Sequence, residues 1–278
     1  MLQYIVWDVK PEIFTLELFG MEFAPRWYGL LFALGFLIGQ QILFHIFKKE
    51  GKPESDVETL TVYMVLSTVI GARLGHVLFY EPAEYLRNPI DILKIWEGGL
   101  ASHGATIGIL FALYLYARKK KDQTYLWVVD RIVITVAFAG MLIRLGNLMN
   151  SEIYGYQTDL PWGFIFALRG ETVAKHPTQI YEALFCLVLF IALFQIWKKR
   201  KSAIPDGLLL GIFLVTLFTF RFLVEFLKEP QVEFEADMLL NMGQILSIPA
   251  VIAGVVILTI AQKNAKKKAQ GVTQNALR

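Results

Sequence analysis

The sequence predicts an all-α integral membrane protein of about seven transmembrane helices, with the N-terminus outside, the C-terminus in the cytoplasm and a small outer-face head formed by loops. Three observations carry this reading. Of 278 residues, 55% are hydrophobic, and the mean hydropathy is +0.49. Charged residues make up 18%, against about 25% in a typical soluble domain. The lysines and arginines gather in four short blocks, each closing an apolar run: Lys48/Lys49/Lys52, Arg118–Lys121, Lys198–Lys201 and Lys263–Lys268.

A bilayer core needs about 20 apolar residues per helix. Runs of that kind fall at 27–47, 57–80, 98–117, 125–143, 178–197, 206–227 and 243–262. The basic blocks follow the first, third, fifth and seventh runs, which the positive-inside bias assigns to the cytoplasm. Nucleic acid is not an expected partner, because every block ends a membrane run. Residues 1–262 form a single polytopic domain, followed by a frayed, basic cytoplasmic tail at 263–278. Three segments lie outside: 1–26, 81–97 and 144–177. The first ten residues lack a basic stretch followed by an apolar one, so no cleavable signal peptide is expected. The single cysteine, Cys186, sits mid-run as a small packed side chain; it excludes an internal disulfide and a cysteine-based zinc site.

The most informative tract is Arg144-Leu-Gly-Asn-Leu-Met-Asn-Ser-Glu-Ile-Tyr-Gly155, which leaves the outer end of the fourth run. Charges and amides at membrane depth are costly unless paired or ligand-bound. Others share that outer depth: Tyr28, Arg73, His76, His103, His176, Tyr181, Arg221 and Glu225. Arg221 stands six residues from its run's end, about 9 Å deep at 1.5 Å per residue. Asp130 is the exception, near the inner start of the fourth run, and has a structural or capping role. Each group also has a plainer reading. Arg221 and Glu225, at i and i+4, form a self-contained ion pair. Arg73 snorkels to headgroups. Asn147 and Asn150 punctuate the helix end. Trp27, Trp96 and Trp162 belong to the interfacial belt. The combination at one depth favours a shared polar cavity opening to the outer leaflet.

Guanidinium groups bind phosphate oxygens bidentately and keep their charge in low dielectric. Gly98 and Gly99 free backbone N–H groups to approach an anion, and the nearby His103 accepts a proton from a thiol or hydroxyl. An anionic phospholipid headgroup fits such a site. No metal-ligand spacing is present, and no cofactor is required.

The motifs resemble those of the bacterial prolipoprotein diacylglyceryl transferases over nearly the whole chain. The family signature Gly-Arg-x-(Gly/Ala)-Asn-Phe-x-Asn-x-Glu-x-x-Gly is matched in register by Arg144, Gly146, Asn147, Asn150, Glu152 and Gly155, with Ile143 and Leu148 as departures. Arg26-Trp-Tyr-Gly29 departs at Arg26 from the usual histidine. Gly71-Ala-Arg-Leu-Gly75, Trp96-Glu-Gly-Gly-Leu-Ala-Ser-His-Gly104, His176-Pro-Thr-Gln-Ile-Tyr-Glu182, Arg221-Phe-Leu-Val-Glu225 and Met242-Gly-Gln-Ile-Leu-Ser-Ile-Pro249 are similar to family blocks in the same order.

The resemblance implies transfer of the diacylglyceryl group of phosphatidylglycerol to the lipobox cysteine of a preprolipoprotein signal peptide, releasing glycerol 1-phosphate. It implies a bacterial inner-membrane enzyme whose active site faces the outer leaflet. His103, Arg144 and Arg221 are then the expected catalytic residues. Tyr28, Arg73, Asn147, Asn150, Glu152, Gly155 and Glu225 are expected to bind substrate, with Gly98, Gly99, His176 and Tyr181 as further contacts. Membrane lipids and the signal peptide are the partners. The alternative is a phospholipid-handling or small-molecule transporter.

Overall fold

Six helices are long and apolar enough to cross a membrane in a computed structural model of the chain, which describes residues 4–18, 20–95, 98–230, 235 and 238–276. They are α1 (Trp27–Lys49), α2 (Glu54–Phe79), α5 (Tyr125–Met149), α6 (Thr178–Arg200), α7 (Leu208–Val224) and α8 (Met242–Ala276). The third expected run is α4 (Ser102–Lys119), 18 residues long with Ser102, His103, Arg118 and Lys119 at its ends. It starts four residues later than expected because Gly98 and Gly99 hold φ of 95° and 69°, outside any right-handed helix. A short α3 (Pro82–Arg87) lies between α2 and α4. Trp96, Glu97, residues 1–3 and residues 277–278 of the tail lie outside the described residues. The tail is not frayed from 263: α8 continues to Ala276.

The chain divides into two compact units, 43–129 and 1–42 with 130–278. In the first, α2 packs on α4 through glycines. A Cβ on Gly71 would stand 2.5 Å from the Gly104 carbonyl oxygen, and one on Gly75 2.7 Å from Gly104 Cα. A Cβ on Gly108 would stand 2.7 Å from the Ser67 carbonyl oxygen. Two Gly-x-x-x-Gly steps thus face each other, letting the backbones approach where apolar driving force between helices is weak. At the other end of this unit Asp56 is buried and bonded by Lys120 and Gln123, while the Tyr116 hydroxyl donates to Gln123 Oε1 at 2.8 Å.

In the second unit, buried Asp130 closes the start of α7. Its Oδ2 accepts the Gly207 N–H at 2.8 Å and its Oδ1 the Leu210 N–H at 2.7 Å. The capping role expected of Asp130 is therefore met, on a helix 77 residues away in sequence. α7 and α8 pack closely at Gly211 and Gly254, where added Cβ atoms would fall 2.6 Å from Leu258 Cγ and 2.9 Å from Leu214 Cβ.

The segments 1–26 and 144–177 contain strands the sequence did not foretell. β1 (Ile5–Trp7) pairs in parallel with β4 (Phe164–Phe166), Ile5 opposite Phe164 and Trp7 opposite Phe166. β2 (Leu16–Leu18) and β3 (Met21–Phe23) form an antiparallel hairpin. Leu148, Phe164 and Phe166 make a small core, flanked by Trp7, Tyr154 and Ile180. Lys175 bridges Glu171 and Glu229 above it. Burial, with the hydrogen bond to Glu171 adding to it, pushes the Tyr154 hydroxyl up to about 12. The 144–177 connection is pinned along its length, with Gly155 N–H donating to the His176 carbonyl at 2.9 Å and Tyr156 N–H to that of Leu227 at 2.8 Å.

Two consequences can be measured. Gly104→Leu forces α2 and α4 apart and is expected to cost about 1–3 kcal/mol, seen as a lower thermal midpoint in detergent. Gly29→Leu, with nothing within 4 Å of its new Cβ, is expected to leave that midpoint in place. Asp130→Ala removes a helix cap worth about 1–2 kcal/mol. Hydrogen exchange at Gly207 and Leu210 is expected to speed up roughly tenfold, with α8 amides unaffected.

Candidate functional site

The end of α5 presents Arg144 and Asn147 one turn apart, and the chain then turns sharply. Ser151 and Ile153 have φ of 52° and 62°. The left-handed region is strained for a β-branched residue, at a cost of about 1–3 kcal/mol. Two side chains from the first turn of α6 hold the turn in place: Thr178 Oγ1 donates to the Ile153 carbonyl at 2.7 Å, and Gln179 Nε2 to the Glu152 carbonyl at 2.7 Å. Both are buried. The strain fixes the direction in which Glu152 points.

Glu152 Oε1 accepts two amides, Asn147 Nδ2 at 2.8 Å and Asn150 Nδ2 at 3.1 Å. With its nitrogen turned to the carboxylate, Asn147 offers Oδ1 to Arg144 Nη1 at 3.3 Å. The asparagines therefore act as spacers between Glu152 and Arg144, beyond mere helix-end punctuation. Tyr28, in the first turn of α1, lies against the same tract: a Cβ on Gly146 would stand 2.8 Å from its ring.

From Arg144 an ion chain runs across three helix ends. Arg144 Nη2 stands 3.2 Å from Glu182 Oε1 on α6. Glu182 Oε2 lies 3.1 Å from Lys228 Nζ, an ion-pair contact without hydrogen-bond alignment. Lys228 donates to Glu225 Oε1 at 2.9 Å, and Arg221 Nε is 3.7 Å from the same oxygen. Asn241 Nδ2 donates to the other Glu225 oxygen at 3.1 Å. The Arg221–Glu225 pair is thus one link of a longer chain, and Arg221 sits in the last turn of α7 because the α-helix stops at Val224. Glu182, Glu225 and Lys228 are buried, whereas the Arg144 and Arg221 side chains keep 20% and 40% exposure. Three cations meet two carboxylates, and Glu152 is bonded by neutral amides. The two arginines at the ends of the chain are the groups accessible to an anion, which they bind well as forks. Glu182 and Lys228 had no place among the expected site residues, although Glu182, as a charge within the run 178–197, is by itself a signal.

In the 43–129 unit Arg73 and two glycines, Gly98 and Gly99, meet each other. Arg73 is 4% exposed and its donors go to backbone carbonyls: Nε to Ile92 at 2.9 Å, Nη1 to Gly98 at 2.7 Å and Gly99 at 3.2 Å, and Nη2 to Asp91. It clamps the segment before α4. Gly98 and Gly99 accordingly turn their carbonyls to a cation rather than their N–H groups to an anion. A Cβ on Gly99 would collide with Arg73 Nη1 at 2.6 Å. His76 pairs with Glu81 at 3.3 Å and stacks on Tyr80. His103, in the first turn of α4, is exposed and meets the rings of Phe79 and Tyr80 at 5.3 and 5.8 Å.

Three further residues take local roles in the larger unit. Gly155 is packed closely, since a Cβ there would lie 2.2 Å from the Leu227 carbonyl oxygen. His176 Nδ1 is 3.2 Å from the Tyr181 hydroxyl, which accepts from Trp162 Nε1 at 2.9 Å. Burial holds the His176 imidazole below its usual pKa, which favours its neutral form. Trp162 is thus a hydrogen-bond donor as well as a half-exposed aromatic.

Comparison with known proteins identifies the family. The family model described as prolipoprotein diacylglyceryl transferase matches residues 15–260. A Tolumonas auensis protein named phosphatidylglycerol–prolipoprotein diacylglyceryl transferase is 45% identical over 259 residues, covering 93% of this chain and 98% of its own. Proteins of the same name from Chloroherpeton thalassium and Porphyromonas gingivalis are each 46% identical, over 263 and 276 residues. They cover 95% and 94% of this chain, and 96% of their own length in both cases. The chain is a multi-pass membrane protein and belongs to the prolipoprotein diacylglyceryl transferase family.

Proposed function

We propose that this chain transfers the diacylglyceryl group of phosphatidylglycerol to the lipobox cysteine thiol of a preprolipoprotein, the first step of lipoprotein maturation. Beside family membership, the supporting observation is the ion chain whose two ends, Arg144 and Arg221, are accessible guanidiniums. In the reaction the thiolate sulfur attacks the glyceryl carbon that bears the phosphate. The sulfur–carbon bond forms, the carbon–oxygen bond breaks, and its electron pair leaves on glycerol 1-phosphate. The growing charge on that leaving group is what a fixed cation stabilises. Arg144 and Arg221 take that role. Glu182, Lys228 and Glu225 orient them, and Asn147, Asn150, Glu152 and Tyr28 shape the headgroup side.

The thiol, of pKa about 8.5 when free, needs to lose its proton. His103 is the proposed base, an exposed imidazole set against the rings of Phe79 and Tyr80. The protein is placed in the bacterial inner membrane with the N-terminus outside, so that α5 ends and α6 begins toward the outer leaflet, where an exported cysteine arrives. The inner-side charges support no transport route: Asp130 caps a helix and Asp56 is held by Lys120 and Gln123.

Purified protein, phosphatidylglycerol and a lipobox peptide are expected to give a diacylglyceryl adduct by mass spectrometry, absent with a Cys→Ser peptide. Lack of adduct where the lipid is shown to bind would falsify this function. Arg221→Lys keeps the charge and loses the fork; turnover is expected to fall about 100-fold, a loss of roughly 2.7 kcal/mol of transition-state stabilisation, and wild-type turnover would remove the clamp role. His103→Gln is expected to slow thioether formation about 100-fold with lipid binding retained, and an unchanged pH–rate profile in that variant would remove His103 as base.

A further inference from the structure

Four cations stand in a row at the end of α6 farthest from the ion chain. Lys198, Lys199 and Arg200 close the helix and Lys201 follows it, all four exposed. Glu182 and Lys198 are 16 positions apart on α6, about 24 Å at 1.5 Å per residue. That is most of a hydrocarbon core of about 30 Å. Residues 183–205 contain no aspartate or glutamate. Among the described residues no ion pair or hydrogen bond engages these four side chains. The basic blocks of the 43–129 unit differ. There Lys48 lies 3.8 Å from Glu54, and Lys52 and Lys120 bond Asp122 and Asp56. Lys119 donates to the Tyr63 hydroxyl at 2.6 Å. Those blocks are answered by groups of their own unit; the α6 block is not.

Lys201 adds a backbone observation. Leu189, Leu193 and Trp197 are buried at spacings of four, so one more helical turn would carry residue 201 onto the same buried face. The chain breaks there instead. Lys201 has φ of 47° and ψ of −125°, the geometry of the first central residue of a type II′ turn, which glycine fills most easily. The break is held from both sides. The Lys201 N–H donates to the Trp197 carbonyl, the Ile204 N–H donates to the Lys201 carbonyl at 3.2 Å, and Ile204 is buried. Attraction of cations to a helix C-terminus accounts for Lys198, Lys199 and Arg200. It does not account for a lysine where glycine would be less strained. A cation kept exposed under strain, with no carboxylate to meet it, calls for an anion outside the chain.

The place of the block selects the anion. Cations directly at the end of a membrane helix stand at the phosphate level of a leaflet, and ammonium groups bind phosphates as point charges without a shaped pocket. Leu184, Val188 and Ile191, 57%, 64% and 44% exposed, run down α6 at spacings of four and three. Gln195 and Lys198 continue that spacing, so an acyl chain along the stripe brings its headgroup to the block. We propose that Lys198–Lys201 form a binding surface for anionic phospholipid headgroups, in the leaflet opposite the Arg144–Glu182 contact. The lipid there is bound and not consumed, so the surface is independent of the reaction proposed above. A soluble polyanion would satisfy the cations and leave the apolar stripe unused.

The test is native mass spectrometry on the full-length protein in neutral detergent, with added phosphatidylserine or phosphatidylcholine. Phosphatidylserine is expected to bind about tenfold tighter, with the preference lost between about 0.05 M and about 0.5 M salt. A variant combining Lys198→Gln, Lys199→Gln and Arg200→Gln is expected to bind phosphatidylserine about 100-fold more weakly, roughly fivefold per charge. Its phosphatidylcholine binding and its transfer activity are expected to stay unchanged. Lys201→Gly is expected to raise the thermal midpoint and weaken phosphatidylserine about fivefold; a lowered midpoint would remove Lys201 from the surface. The same preference for phosphatidylserine in the triple variant places the lipid elsewhere and overturns the proposal. Tighter binding of polyglutamate or RNA than of phosphatidylserine vesicles overturns it too, in favour of a soluble polyanion. Absence of any lipid preference in wild type does so whatever the variants do. Transfer activity in the same preparations separates each of these failures from failure of the transferase reading.

Discussion

One buried ammonium holds the larger unit together at its polar end. Lys228, with 2% of its side chain exposed, faces two carboxylates that are 6% exposed, Glu182 and Glu225. Removing such charges from water costs several kcal/mol each, and the cost is offset only when every partner is in place. The partners come from separate elements: Arg144 from α5, Glu182 from α6, Arg221 from α7 and Asn241 from the residue before α8. None of these helix ends can shift without exposing a neighbour's charge to apolar surroundings. The geometry of the arginines is therefore set by the desolvation of the groups behind them, and their own side chains are left for work at the surface.

The arginines show how little the residue type alone decides. Arg73, Arg144 and Arg221 share an outer depth in the sequence reading, yet Arg73 bonds carbonyls and the other two bond carboxylates. The difference lies in what the chain places nearby. Gly98 and Gly99, at positive φ, turn carbonyls inward where a side chain would have kept them apart, and the guanidinium closes over them. Near Arg144 the strained turn at Ser151–Ile153 brings a carboxylate and two amides round instead.

Much of this was legible in the residues. Apolar runs located the helices, and the motif at 144–155 located the start of the polar network, because both depend on local composition. Asp130 was recognisable as structural because it stood alone at the wrong depth. What was hidden depends on pairing across long separations. Lys228 and Glu182 are 46 positions apart, and only the fold shows that each needs the other. The strand pair β1–β4 joins segments more than 150 residues apart, each just three residues long. Arg73 misled because exposure was inferred from depth, while its true environment is built by a loop whose glycines pointed equally well to an anion.

The length of α8 has its own consequence. Its 35 residues extend about 52 Å at 1.5 Å per residue, well past a hydrocarbon core of about 30 Å. Lys263, Lys266 and Lys267 ride on that overhang at spacings of three and four, so they share one side of the cylinder. A loose tail would spread its charge over all directions. A helix carries it as a ridge, and an anionic lipid surface then favours one rotation of the helix about its long axis over the others.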